Sequence, residues 1–161
     1  MKWLEIALPF VARFEGCEKR RGGVIYPYLD KLANPPVWTR GYGRTYEITE
    51  TSGPITQKEA QNELADGLTR YAANCLKLAP GLAQKPAALA AVASWTWNCG
   101  LGAFKRSRLR RAINAGNWEL ASQYIRTPRT AGGVEYRGLA RRRDAESALF
   151  TSPPNGARGG S

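Results

Sequence analysis

Residues 86–104 read PAALAAVASWTWNCGLGAF. Pro86 suits the first turn of a helix, where its missing N–H is no loss. From Ala87 to Trp97 almost nothing is polar, which predicts a helix buried on most of its sides. Working outward, the signals stay helical. Downstream, Ser107 is placed to cap a short helix through Ile113 that stops at Asn114-Ala115-Gly116, and Asn117 to cap the next through Ile125. A loop with Pro128 and Gly132-Gly133 leads to a last helix from about Leu139 to Phe150. Upstream, Thr56 and Glu59 form a capping box, with Ile55 set for a hydrophobic staple on Ala60. That helix carries Leu64, Leu68, Tyr71, Cys75 and Leu78 and ends at Pro80-Gly81.

The start of the chain completes the layout. Trp3, Ala7, Phe10, Val11 and Phe14 recur at steps of three and four, the buried stripe of a helix over roughly residues 2–16, so Glu15 falls on its last turn. Between Gly22 and Thr51 the pattern changes to strand formers (Val24, Ile25, Tyr26, Tyr28, Val37, Trp38, Thr39, Tyr42, Tyr46) broken by glycines and Asn34-Pro35-Pro36. A small, irregular antiparallel sheet is expected there, and only helices after it. The fold class is therefore α+β with a helical majority, a sheet lobe on a helical bundle with a cleft where a polymer can lie. Residues 1–150 are expected to form one domain, and the Pro/Gly/Ser-rich tail 151–161 to be disordered.

Composition narrows the chemistry. Histidine is absent from the 161 residues. Ser-His-Asp and Cys-His hydrolases lose their base, and His-ligated zinc enzymes their ligands. Cys17, Cys75 and Cys99 lack CxxC spacing and are expected as free buried thiols, so neither metal nor other cofactor is implied. No apolar run is long enough to span a membrane, and the N-terminus does not read as a signal peptide, so cytosolic synthesis is expected. The formal charge is +11, and between Lys105 and Arg143 eleven Lys or Arg face two acids, Glu119 and Glu135. This late cluster is either a solvated face or the footprint of a polyanion: nucleic acid, membrane surface or cell-wall polymer.

If the protein is a hydrolase, its proton chemistry rests on carboxyls. Glycosidic cleavage needs a protonated acid on one side of the sugar. In an inverting enzyme, a second carboxyl about 6.5–9.5 Å away holds water on the other side. Glu15 follows Phe14 at the end of a helix and is expected to point toward the sheet. Asp30 lies at a strand or turn edge among aromatics, and Thr39 on the next strand, so that the two can hold one water. The competing readings are a solvated helix-end glutamate and an ordinary turn aspartate.

Several stretches taken in order resemble a known family: Phe14-Glu15-Gly16, Tyr28-Leu29-Asp30, Trp38-Thr39-Arg40-Gly41-Tyr42-Gly43, Ala90–Phe104 with its Asn-x-Gly-x-Gly-x-Phe turn, Leu109–Asn117 and Arg137–Glu146. Across about residues 3–150 the chain is similar to phage-type lysozymes, the endolysins of glycoside hydrolase family 24. The resemblance implies a Glu-Asp-Thr set, carried here by Glu15, Asp30 and Thr39. It implies inverting hydrolysis between N-acetylmuramic acid and N-acetylglucosamine of peptidoglycan, by a monomer released to the wall through a holin-type lesion. It also implies an arginine reaching the catalytic glutamate, with Arg142 the best match against a solvated charge. Asn98 is a substrate contact or, alternatively, a cap or turn residue.

The pattern departs from the family in places. Glu15 to Asp30 is fifteen positions and Asp30 to Thr39 nine, both longer than usual, with Lys19–Gly23 and Ala33–Pro36 looking inserted. Glu18 is the stand-in for Asp30. Arg44 stands where many relatives have histidine, outside the proposed proton chemistry. The alternatives to a muramidase are a lytic transglycosylase, which Asp30 with Thr39 argues against, an inactive wall-binding relative, and a basic nucleic-acid-binding domain. No nucleic acid is expected as partner, because no recognition signature is present. Anionic cell-surface polymers remain candidate partners.

Overall fold

A computed structural model describes residues 1–17, 20–131 and 133–153. The helices are α1 (Lys2–Glu15), α2 (Gln57–Leu78), α3 (Pro86–Cys99), α4 (Leu101–Arg106), α5 (Arg108–Asn114), α6 (Trp118–Tyr124) and α7 (Arg137–Phe150). Short strands lie between: β1 (Arg20–Arg21), β2 (Val24–Ile25), β3 (Tyr28–Asp30), β4 (Val37–Thr39), β5 (Ile55–Thr56), β6 (Thr130–Ala131) and β7 (Val134–Glu135). The mostly helical α+β class holds. The chain divides into two compact units, Leu8–Gly67 and Met1–Ala7 with Leu68 onward. None of the described helices is long and apolar enough to cross a membrane.

The helical unit is built around α3. Every residue from Ala87 to Thr96 is buried, as a helix apolar on all sides requires. Leu82, Leu89, Val92, Phe104, Leu109, Ile113, Ile125 and Phe150 close around it, with Trp3 packed on that cluster. Trp95 meets Phe104 edge-on at 6.4 Å between centroids, and its indole N–H donates to the Thr127 carbonyl at 2.7 Å. Gly100 ends α3 with φ 91°, a conformation that costs glycine little. Pro86, Ser107 and Asn117 stand where the sequence places them. Pro86 opens α3, Ser107 Oγ accepts from the Arg110 N–H at 3.0 Å, and Asn117 Oδ1 accepts from the Leu120 N–H at 3.0 Å.

In the unit Leu8–Gly67 the strands form two separate ladders. β1 pairs with β2 and β2 with β5, both antiparallel, and β3 pairs with β4. Ile25, Ile55 and Ala60 make a small core there, with Cys17 and Tyr42 against it. The capping box forms: the Thr56 N–H and hydroxyl donate to Glu59 Oε2 at 2.7 and 2.8 Å, and the Glu59 N–H donates back to Thr56 Oγ1 at 3.2 Å.

Two expectations need correction. Strands are not confined to residues 22–51: β5 joins the first ladder, and the loop expected around Gly132-Gly133 carries the β6–β7 hairpin. Two-residue strands show no period in a sequence, so nothing marked them. The stripe of α1 is uneven, with Ala7 and Val11 fully buried and Phe10 and Phe14 half-buried beside the Arg13 guanidinium, 5.4 and 4.8 Å from their ring centres. Arg20–Arg21, within the stretch that looks inserted, form β1, paired across Gly22-Gly23 with Val24–Ile25. Of the tail, Thr151–Pro153 are described, and Thr151 Oγ1 donates to the Ser147 carbonyl at 3.2 Å. The remainder of the tail lies outside the described residues.

Candidate active site

Glu15 is the last residue of α1 and is half-buried. Asp30 ends β3 and Thr39 ends β4. The register pairs Tyr28 with Thr39, Leu29 with Trp38 and Asp30 with Val37. Side chains alternate faces along a strand, so Asp30 and Thr39 share one face of this hairpin. They are diagonal neighbours, a relation that sets such residues about 7–8 Å apart. Thr39 is 4% exposed, and its hydroxyl donates to the Val37 carbonyl at 3.3 Å. Its lone pairs are therefore its offer to anything that binds there. Asp30 Oδ1 accepts from the Leu32 N–H at 2.9 Å. Asp30 thus does shape the turn, as the competing reading held, and that bond fixes the direction of its carboxylate.

The chain leaves β4 through a tight turn. Arg40 and Arg44 exchange backbone hydrogen bonds, N–H to carbonyl, at 2.9 and 3.0 Å. Between them Gly41 and Gly43 have φ of 62° and 94°, the left-handed region that disfavours side chains. A Cβ built on Gly43 would stand 3.7 Å from Glu15 Oε2. The Glu15 carboxylate thus lies against the turn that directly follows Thr39. Glu15, Asp30 and Thr39 all belong to the unit Leu8–Gly67. Glu18 lies outside the described residues.

Arg142 and Asn98 sit in the helical unit, in a network that sequence reasoning did not see. Glu146 of α7 has no exposed surface. Its Oε1 accepts from Arg142 Nε at 3.1 Å, from the Ser94 hydroxyl at 2.6 Å and from Arg143 Nη2 at 3.2 Å. Arg143 Nε lies 2.9 Å from Glu146 Oε2. Arg142 Nη2 also donates to the Ser94 carbonyl at 3.2 Å. Asn98 Oδ1 accepts from Arg143 Nη2 at 2.9 Å, and Cys99 Sγ from its Nη1 at 2.9 Å. A solvated charge is therefore the wrong reading for Arg142, which is buried. Burial pushes the Glu146 carboxyl above its ordinary range, while Arg143, the Ser94 hydroxyl and Arg142 pull it back. The signal was present as Arg142, Arg143 and Glu146 at helical spacing, plus a serine inside an apolar helix.

Cys17, Cys75 and Cys99 are free. Burial pushes the Cys75 thiol up to about 11, against a hydrogen bond to Thr96, and it also raises Cys17 and Cys99. None is therefore a ready thiolate near neutral pH. Among the described residues, no three of His, Cys, Asp and Glu converge as a metal site.

A model of the family described as Phage lysozyme matches residues 12–146. Among curated relatives, the Endolysin of Bacillus phage PZA is 34% identical over 125 residues, which cover 76% of this chain and 48% of the relative. The Endolysin of Bacillus phage B103 is 31% identical over 113 residues, covering 70% and 43%. The chain thus spans about half the length of these two relatives. Among solved structures, the muramidase domain of SpmX from Asticaccaulis excentricus has a TM-score of 0.77 at 24% identity, covering 92% of this chain and 96% of that one. The last likeness is one of fold, and the fold it shows is that of a lysozyme. With the β3–β4 hairpin, the turn after it and α3 all inside the matched stretch, the chain belongs to the phage lysozyme family.

Proposed function

We propose that this protein is an endolysin that hydrolyses the β-1,4 bond between N-acetylmuramic acid and N-acetylglucosamine in bacterial peptidoglycan. Glu15 donates the proton that the departing sugar oxygen needs. As the bond breaks, positive charge develops on the muramic acid ring, and Asp30 steadies it. A water on that side donates one hydrogen to Asp30 and the other to Thr39 Oγ1, whose own proton is committed to Val37. A lone pair of that water is then aimed at the anomeric carbon, and attack opposite the leaving group inverts the centre. Glu15 ends the step ionised, and the proton lost by the water passes to Asp30. Host-cell lysis by action at the wall, with release through a holin-type lesion, is part of the same reading.

The observation that carries this reading is the register of β3 with β4, which sets Asp30 and Thr39 on one face beside the turn that touches Glu15. The experiment is turbidity loss of purified peptidoglycan with wild type, Glu15→Gln and Asp30→Asn, with the products weighed by mass spectrometry. General acid catalysis is worth about 10²–10⁴-fold, so Glu15→Gln is expected to abolish measurable clearing. Hydrolysis leaves a reducing muramic acid, whereas a transglycosylase leaves an internal anhydro ring. If Asp30→Asn clears as wild type does, the second carboxyl is another residue and Glu18 is next to test. Clearing by Glu15→Gln at the wild-type rate overturns the reading.

A further inference from the structure

The turn Arg40–Arg44 has little of its own to hold it, since two of its three inner residues are glycines at positive φ. It is held from outside by the first two turns of α2. Gln57, Ala60 and Glu63 recur three apart and so lie along one side of that helix. Gln57 Nε2 donates to the Tyr42 hydroxyl at 2.6 Å. Ala60 faces Gly41, where a Cβ would stand 3.4 Å from its methyl. Glu63 Oε1 accepts from Arg40 Nη2 at 2.6 Å and from Arg44 Nη1 at 2.9 Å. One carboxylate oxygen thus ties both ends of the turn, with side chains of Arg40 and Glu63 only 13% and 16% exposed. The arginines are held at their outer edges too, Arg40 by the Gly53 carbonyl at 2.8 Å and Arg44 by the Tyr46 carbonyl at 3.1 Å. Both point at Glu63 in one geometry.

We propose that Glu63 is a positioning residue for the reaction: by clamping Arg40 to Arg44 it fixes Gly43 against the Glu15 carboxyl and the end of β4 at Thr39. The catalytic half of this statement rests on the hydrolase reading above. A charged clamp differs from a space-filling one in what replaces it. Glutamine keeps the shape of Glu63 and loses the charge that two guanidiniums share. Aspartate keeps the charge and falls one methylene short.

The test compares wild type, Glu63→Gln, Glu63→Asp and Arg44→Gln. The measurements are kcat and KM on soluble peptidoglycan fragments, thermal denaturation, and NMR of the Gly43 amide and the Glu15 side-chain carboxyl carbon. A misplacement of about 1 Å at a reacting group can cost on the order of 10²-fold. Glu63→Gln is expected to lose at least about tenfold in kcat with KM within about twofold. Glu63→Asp should keep more kcat than Glu63→Gln. The Gly43 and Glu15 resonances should move in Glu63→Gln and, less, in Arg44→Gln, which leaves the Arg40 arm in place if Glu63→Gln fails to fold. Wild-type kcat in a folded Glu63→Gln, unmoved resonances, or glutamine outperforming aspartate would each overturn the proposal. Should wild type itself fail to cut peptidoglycan, the hydrolase reading falls. The two resonances then decide whether Glu63 sets the turn against Glu15.

Discussion

Glu146 keeps a fully buried carboxylate because three donors reach one of its oxygens and Arg143 Nε lies against the other. A pair of this kind is weak evidence for added stability, since desolvation offsets the attraction. Breaking it is another matter, because it strands charge. Glu146→Ala leaves Arg143 buried without its carboxylate and is expected to cost about 3–5 kcal/mol, read by urea denaturation. For Glu15, Asp30 and Thr39, residue type alone did not distinguish a site from a helix-end acid and a turn former. The ordered motifs around them singled them out. The charge network was not legible in that way, because Ser94 and Glu146 are 52 positions apart and their meeting is a fact of packing.

Among elements, those announced by local chemistry were legible and those that depend on a distant partner were not. α1, α2, α3, α5 and α6 carry an apolar stripe, a cap or an N-terminal proline, all written within a few residues of one another. α4 and the strands β1, β5, β6 and β7 carry no such signal. The site shows the same division. The β3–β4 hairpin is read from strand formers on either side of Asn34-Pro35-Pro36, whereas the Arg40–Glu63 tie spans 23 positions. The capping box of α2 makes a pH prediction. The Thr56 N–H, and then the Thr56 hydroxyl, hold Glu59 below its ordinary 4.5. A lowered folded pKa stabilises above the unfolded value and is lost as pH falls through the folded one. Stability should therefore drop below about pH 4.5 through this group. Thr56→Ala should raise the Glu59 pKa by NMR and flatten that part of the acid profile. An unchanged Glu59 titration in Thr56→Ala would show that the hydroxyl plays no part.

At the scale of the whole molecule, the eleven cations between Lys105 and Arg143 are not one feature. Arg142 and Arg143 are buried and both meet Glu146, and Arg129 pairs with Asp144 at 2.7 Å and Glu135 at 3.7 Å. Lys105, Arg106, Arg108, Arg111, Arg126, Arg137 and Arg141 are exposed, with Arg110 half-buried. Neither reading of the cluster, solvated face or polyanion footprint, describes all of it. The exposed set and the formal +11 draw the protein to polyanions without choosing among them. Screening shortens from about 30 Å at 0.01 M salt to about 8 Å at 0.15 M. Clearing of peptidoglycan at limiting substrate should slow by roughly tenfold over that range, with KM rising and kcat steady. A rate indifferent to salt would mean that the charge does not serve encounter.

Gly43 has a consequence of handedness. With φ at 94°, its backbone has the torsion that a mirror-image residue adopts at ease. An L-methyl there strains the chain and is directed toward the Glu15 oxygen, 3.7 Å off. A D-methyl takes the place of the other hydrogen and suits the torsion. What closes this position to substitution is therefore chirality more than crowding, and a semisynthetic D-alanine would be the mildest change the turn admits.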